Sequence, residues 1–454
     1  CSRPSVSPGA ALGRLPLPQT EAMKVCVVGA GPVGLYTAFR LVKEGHDVTV
    51  YERAADIAGN VRSWSFVRLF SKLELNMPQD AKEALRQAGR DLPSEDEYQT
   101  GAEFIASILE PLSEWLKASG KCEIKTACEV VSIGRGRLLK SDAIAAIGDK
   151  RRTGQPFRVL YREESGREDV KADFDLVVDA SGSYGAATAN RVGVGGIPAP
   201  GERAAEAAGL LRRVIPDVKG VDSGLVAGKR VGVIGTGYSA ITLLRNLCDL
   251  AQAGEPGAPK EVCWLTRQKP GKPPYSILEN DSLPQRSELA KLGNTLAAAA
   301  GAEGPFGATK FQYIPAMAVG RIDMPVGALK VTLEIDSGDS VAQQDVDLDV
   351  LFSLTGFHPE KELWSELQVH VCYASDGPMK LAGSLLAAKV AMEGDPAAAG
   401  DCLSQAAPGV ETLGNPEPDF YVLGMKSYGR NSTFLMRVGY EQADLLVGKL
   451  KAGA

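Results

Sequence analysis

An α/β fold with two Rossmann-like dinucleotide-binding domains, the first interrupted by the second, is predicted by three observations. The glycine pattern Gly29-Ala30-Gly31-Pro32-Val33-Gly34 directly follows an apolar, β-branched run at 24–28. A second pattern, Gly235-Thr236-Gly237-Tyr238-Ser239-Ala240, follows a similar run at 229–234. Two further apolar runs end in small residues, at Asp179-Ala180-Ser181-Gly182 and at Leu354-Thr355-Gly356, one on either side of the second unit. The predicted layout is a leader over 1–22, a first domain made of 23–190 and 345–454, and an inserted second domain at 191–344.

Taken in order, the run 24–28 reads as a buried parallel strand because it is continuous and apolar. The glycines turn it into a helix whose apolar positions, Leu35, Ala38, Phe39 and Val42, recur at helical spacing up to Gly45. Residues 47–51 supply the second strand. A helical pattern over 101–119 carries Pro111, which must kink or split it. Strands are expected at 129–133, 157–161 and 174–178, with loops around 134–154. The Gly/Pro-rich passage 193–201 marks the first domain crossing. In the second unit a helix is expected over 239–251 and a strand over 261–266, followed by a helix near 288–299 and a strand near 329–335. The run 349–356 is read as the return to the first domain. The chain closes with a strand at 419–424 and a helix starting near Asn431 or Ser432.

The composition narrows the function classes. A chain of 454 residues with 44% hydrophobic residues suits two globular domains, and a net charge of −6 without a basic stripe argues against a nucleic-acid partner. No apolar run reaches the roughly 18 residues of a membrane helix, so no membrane partner is expected. Eight cysteines include no C-x-x-C pair, and Cys26 and Cys263 fall inside strand-like runs. A reducing compartment is therefore expected: the cytoplasm, or an organelle stroma or matrix if 1–22 is a transit remnant. With three histidines (His46, His358, His370) and no thiolate cluster, no metal site is expected. Cys372 and Cys402 flank a long stretch and read as buried or inert cysteines or as thiols with a redox role. A homodimer is compatible with the sequence.

In the first pattern Gly29 permits the tight turn, Gly31 lets the backbone approach a pyrophosphate, and Gly34 lets helix and strand pack closely. Glu52, ending the second strand, can accept both hydroxyls of an adenosine ribose. The second unit ends its second strand in Thr266-Arg267, with Lys269 beyond. A guanidinium there can hold a 2′-phosphate in a forked geometry where a carboxylate would repel it, which favours NADPH. The alternative is that Arg267 and Lys269 are solvated loop cations.

The paired patterns, their order and the two small-residue endings resemble the flavin-containing and N-hydroxylating monooxygenase branch of the two-dinucleotide flavoproteins, over nearly everything after Met23. The resemblance implies FAD at the first pattern (Gly29, Gly31, Gly34, Glu52, Arg53, Ser181, Gly182) and NADPH at the second (Gly235, Gly237, Tyr238, Ser239, Arg267), with Gly356 beside them. It implies hydride transfer from NADPH to flavin, then oxygenation of a soft N or S atom of a small-molecule substrate by O2.

Leu75-Asn76-Met77-Pro78 is similar to the family's T-N-x-P stretch. This makes Asn76 the candidate for orienting the flavin's reactive edge or the nicotinamide, against an ordinary turn asparagine. Gly59-Asn60-Val61-Arg62-Ser63-Trp64 stands where the family has G-G-x-W, so Arg62 contacts FAD or pairs with a surface acid. In 424–432 a helix N-terminus aided by Lys426 or Arg430, with Gly424 and Tyr428, would stabilise negative charge on reduced flavin. Capping by Asn431 or Ser432 is the plainer reading. The family's F-x-G-x-x-x-H signature is missing, replaced by Gly193-Val194-Gly195-Gly196-Ile197-Pro198. The readings carried forward are an NADPH-dependent FAD monooxygenase and an NAD(P)H-dependent flavin reductase or dehydrogenase that inserts no oxygen. A nucleotide-binding scaffold is the reading from outside enzymes.

Overall fold

A computed structural model describes residues 22–185, 187–254, 256–277, 281–299, 305–315, 317–336, 338–393 and 407–452. Apart from Ala22, the leader lies outside these residues, as does Cys402. Sixteen strands are present among the described residues. They are β1 (Lys24–Val28), β2 (Asp47–Tyr51), β3 (Cys122–Lys125), β4 (Cys128–Arg135), β5 (Phe157–Glu163), β6 (Glu168–Phe174), β7 (Leu176–Asp179) and β8 (Leu211–Arg212). The remainder are β9 (Arg230–Ile234), β10 (Glu261–Leu265), β11 (Lys310–Ile314), β12 (Met317–Asp323), β13 (Leu329–Asp336), β14 (Val341–Leu348), β15 (Val350–Ser353) and β16 (Phe420–Val422).

Two five-stranded parallel sheets organise the chain, in the orders β16-β7-β1-β2-β3 and β11-β10-β9-β15-β8. Each is covered on one face by helices and on the other by a three-stranded antiparallel sheet, β4-β5-β6 for the first and β12-β13-β14 for the second. Strand periodicity sorts the side chains accordingly. Val25, Val27, Val48, Val50 and Val178 pack with Leu35, Phe39, Ile108 and Leu446 from the helices. Cys26, Val28, Val177 and Phe420 point the other way, onto Phe157, Val159 and Phe174. The second sheet repeats the scheme, with Val233, Trp264 and Phe352 against the helices and Ile234, Leu265 and Leu351 against β12 to β14. Strands buried on both faces explain why the sequence shows continuous apolar runs.

The observed helices include Pro32–Lys43, Gln79–Gln87, Tyr238–Ala253, Pro284–Ala298, Met379–Glu393 and Met436–Ala452. The pattern over 101–119 is one rod in three parts: Gly101–Phe104 and Glu110–Ala118 flank a π-helical turn, Ile105–Leu109. Pro111, which has no N–H to give to the preceding turn, sits just after the π turn, and the π turn absorbs the expected break.

Two expectations are corrected. Residues 350–353 pair with β9 and β8, so this strand belongs to the second sheet and the return placed at residue 345 moves to the crossing beyond Ser353. The last helix begins at Met436, not at Asn431 or Ser432; a short 3₁₀ turn, Gly424–Tyr428, precedes it, and Asn431 Oδ1 accepts the Thr433 N–H instead of capping a helix.

The chain crosses between the sheets twice, and the crossings are tied together. Ala189 bridges Phe357, Asn190 N–H donates to Gly356 O (3.0 Å), Asn190 Nδ2 donates to Thr355 O (3.0 Å), and Thr355 Oγ1 donates to Asn190 O (3.1 Å).

Candidate functional site: two glycine turns at one seam

The first turn has the geometry its sequence requires. Gly29 has φ +99°, and a Cβ there would stand 2.8 Å from the Ala180 carbonyl oxygen at the end of β7. Gly34 lies against the Gly29 carbonyl, where a Cβ would come within 3.0 Å of the carbonyl carbon. Gly31 is different, because nothing lies within 4 Å of its Cβ position. It occupies the N-cap of the Pro32–Lys43 helix in ordinary extended conformation, and no side chain caps that helix. Its first-turn N–H groups are thus left without a side-chain cap, the arrangement that receives a phosphate.

The second turn repeats this. Gly235 has φ +130° and faces the Leu354 carbonyl at the end of β15, Gly237 is the N-cap with open space at its Cβ position, and no side chain caps the Tyr238–Ala253 helix. Leu354-Thr355-Gly356 is thus the second sheet's counterpart of Asp179-Ala180-Ser181-Gly182: each ending lays a carbonyl on the first glycine of its turn. Ser239 is exposed in the first helical turn. The Tyr238 ring meets Phe70 of the first domain with centroids 5.5 Å apart, so the two halves touch at the second turn.

Glu52 is buried, with Oε2 accepting the Ala30 N–H and Oε1 the Ala54 N–H, both at 2.9 Å. Each carboxylate oxygen retains a second lone pair, which suits ribose hydroxyls. Arg53 donates to the Tyr184 carbonyl (2.7 Å) and so clasps the loop after Gly182. At the equivalent place in the second unit, Thr266 is buried against the Tyr313 hydroxyl (3.1 Å) while Arg267 is exposed, with no hydrogen-bond partner among the described residues.

Other candidates are held by the protein itself. Lys426 is buried in an ion pair with Asp179 (2.7 Å), its side chain 1% and that of Asp179 0% exposed. Lys426 also donates to Ser181 Oγ (3.0 Å), and Asp179 accepts the Trp364 Nε1–H (2.9 Å). Its charge is thereby neutralised within the fold. Arg430 is bound to Asp376, which also accepts from Lys361, and reaches Asn190 Oδ1 (3.4 Å). Burial opposes ionisation of Asp376, but hydrogen bonds from Lys361 and Arg430 outweigh it and hold the carboxyl below its ordinary range. His358 lies at 3.4 Å from Asn190 Oδ1, and burial followed by the Arg430 charge lowers its basicity.

Tyr428 is turned into a small core with Leu381 and Val438 and packs edge-on against Phe434; burial pushes its hydroxyl up to about 12. The Gly424 N–H donates to Gln442 Oε1 (2.8 Å) and its α-carbon faces Val33. Asn76 is buried with its amide on Ser71, donating to the Ser71 carbonyl (3.0 Å) and accepting from the Ser71 hydroxyl. Arg62 pairs with Glu110 (2.8 Å) and donates to Ile57 O (3.0 Å), the surface-acid alternative. Sequence reasoning missed Asp179 and Asn190 as partners. Asp179 carried a signal, a carboxylate closing an otherwise apolar strand, whereas Asn190 carried none.

Burial pushes the thiols of Cys122 and Cys263 up to about 12 and that of Cys26 higher still. Among the described residues no group of His, Cys, Asp and Glu is arranged to hold a metal, and no helix is long and apolar enough to cross a membrane.

Comparison with known proteins agrees with the geometry. Residues 27–76 match the model of the NAD(P)-binding Rossmann-like domain. A 41-residue stretch is 51% identical to flavin-containing monooxygenase FMO GS-OX-like 9 of Arabidopsis thaliana, covering 9% of either chain, so the matched stretch spans a small fraction of that relative. The fold is similar to bacillithiol disulfide reductase from Bacillus cereus (TM-score 0.61, 14% identity, 96% of this chain and 100% of that one). It is also similar to an ornithine N-hydroxylase from Kutzneria sp. 744 solved with reduced FAD, NADP+ and L-ornithine (TM-score 0.60, 15% identity, 95% and 99%). The chain has the fold of the two-dinucleotide flavoproteins.

Proposed function

We propose that the chain is an NADPH-dependent FAD monooxygenase that oxygenates a nitrogen or sulfur atom of a small molecule with O2. The carrying observation is the pair of uncapped helix N-termini at one seam, each with an open second glycine, one followed by Glu52 and the other by Arg267. The residues present fit the two cofactors. Gly31 and the first turn after it would take the FAD pyrophosphate and Glu52 the adenosine ribose. Gly237, Ser239 and Arg267 would take the pyrophosphate and 2′-phosphate of NADPH.

FAD, when bound, supplies the hydride acceptor and the site of O2 reduction. The protein's part is to align and to exclude water. Phe70 and Tyr238 close the seam, Lys426 and Asp179 fix the Gly424–Tyr428 turn to β7, and Asn190 keeps the two crossings in register. The local identity to a flavin-containing monooxygenase supports oxygen insertion, as does the scarcity of accessible thiols: of the described cysteines only Cys372 is not buried.

The test is anaerobic reduction with NADPH followed by oxygen in the presence of a panel of amines and sulfides. An N-oxide, hydroxylamine or sulfoxide in proportion to NADPH consumed supports the reading. Hydrogen peroxide in that proportion, with every amine and sulfide unchanged, places the chain among the reductases that insert no oxygen.

A further inference from the structure

The two glycine turns differ at their third small residue, and an indole answers the difference. In the first turn the missing methyl of Gly34 lets the helix settle on the Gly29 carbonyl, at a separation no Cβ could tolerate. The same position in the second turn is Ala240, whose methyl lies 3.7 Å from where a Gly235 Cβ would stand. That helix cannot close on the carbonyl in the same way. The Gly235 carbonyl instead accepts a hydrogen bond from Trp264 Nε1 at 2.8 Å.

Strand registers show that this replaces one device with another. Gly29 N–H donates to Tyr51 O (2.7 Å) and Gly235 N–H to Leu265 O (3.1 Å), which makes Leu265 the counterpart of Tyr51 and Trp264 the counterpart of Val50. Val50 has no donor to offer. The pairs are therefore Gly34 with Val50 in the first turn and Ala240 with Trp264 in the second. Trp264 is fully buried and has a single N–H, which it commits to this carbonyl. Its ring is fixed by Tyr275, stacked at 6.4 Å, and by Tyr313 at 4.8 Å. Tyr275 also touches the Tyr238 ring at 6.2 Å, at the first residue of the helix.

We propose that Trp264 is a positioning residue for the second dinucleotide site: its indole N–H orients the Gly235 peptide so that Gly237 and the first helical turn present their N–H groups to a pyrophosphate. The inference rests on reading the second turn as the NADPH site. Its test is a cycle of W264F, A240G and the double variant in the FAD-loaded protein, with NADP+ affinity measured by calorimetry alongside FAD content and thermal midpoint.

W264F leaves a buried carbonyl without its donor and is expected to weaken NADP+ about 10-fold, with a matching rise in the KM for NADPH, little change in kcat and undiminished FAD. Glycine at 240 lets the helix close as at Gly34, so W264F is expected to weaken NADP+ less than about 3-fold in the A240G background. Equal NADP+ affinity of W264F and wild type overturns the assignment, and so does a W264F effect undiminished by A240G. If W264F alone does not fold, a folded double variant that binds NADP+ supports the assignment, and a double variant that is unfolded or binds none overturns it. Failure of the underlying reading looks different, since wild-type protein would then give no NADP+ heat, which overturns both.

Discussion

Alanine at Gly31 and at Gly34 separates what the first turn needs for folding from what it needs for a ligand. Gly31 has φ −78° and ψ −178°, torsions any residue adopts, and no atom within 4 Å of its Cβ position. In the cofactor-free protein G31A should be neutral or more stable by about 0.4–1 kcal/mol, because alanine narrows the unfolded ensemble. In the protein loaded as proposed, the methyl would stand where the pyrophosphate approaches. Losing one charge-assisted hydrogen bond there, about 1.5–3 kcal/mol, weakens FAD about 10- to 100-fold. Gly34 is the opposite case. Its Cβ would lie 3.0 Å from the Gly29 carbonyl carbon and closer still to the oxygen, and both partners are backbone. G34A should therefore destabilise the cofactor-free protein by about 2–3 kcal/mol, the upper part of the overpacking range. Urea unfolding of both cofactor-free variants, with fluorescence titration of FAD, measures the two effects. A G31A protein that loses stability as G34A does, or one that holds FAD like wild type, refutes the reasoning.

Other perturbations follow from the same contacts. R267A should lower kcat/KM for NADPH about 10- to 100-fold and leave NADH within about 3-fold, since on the proposed reading it removes only the partner of a 2′-phosphate; unchanged coenzyme preference in flavin-reduction kinetics would sink this. D179N leaves Lys426 buried without its counter-charge and should destabilise by about 3–5 kcal/mol, most of it regained in D179N/K426M, as read by urea midpoints. D376N should destabilise by about 1–2 kcal/mol at pH 7. Because the folded Asp376 carboxyl is held below 3.8, that contribution is complete above pH 3.8 and fades as pH falls through the lower folded value. Urea midpoints of wild type and D376N should accordingly converge only below about pH 4, and convergence at higher pH would contradict the sign.

What the sequence disclosed is what short-range geometry encodes. Both glycine turns were legible because strand, turn and helix adjoin in the chain and the φ requirement at Gly29 and Gly235 is local. Long-range pairing was not. Lys426 looked like a free cation beside a helix start, yet its partner is Asp179 at the end of a distant strand. In sequence the run 349–356 reads as part of the first domain because the two strand endings look alike. Their likeness is real, since each presses a carbonyl on a glycine turn, but which sheet a strand joins depends on pairing the sequence does not carry. Asn431 resembled a helix cap and serves a turn, because an asparagine side chain satisfies the N–H two residues on in either setting.

The duplicated architecture has a consequence for where selectivity resides. Both turns lie at the carboxyl ends of parallel strands, and the strands beside them, β7 and β15, run directly into the two crossings joined by Asn190 and Thr355. The carboxyl edges of both sheets therefore converge on one seam. In the proposed function, hydride transfer requires reacting atoms within about 3–3.5 Å, so the reacting ends of the two coenzymes would meet there, with their adenosine ends out along Glu52 and Arg267. Beside Phe70 and Tyr238, the side chains at that seam come from neither glycine pattern. They are Asn190, His358, Asp376 and Arg430, contributed by the crossings, the 372–378 turn and the loop before the last helix. On that reading coenzyme choice rests on local patterns that adjoin in the chain, whereas the seam is assembled only by the tertiary fold, which is why the first could be read from the chain and the second could not.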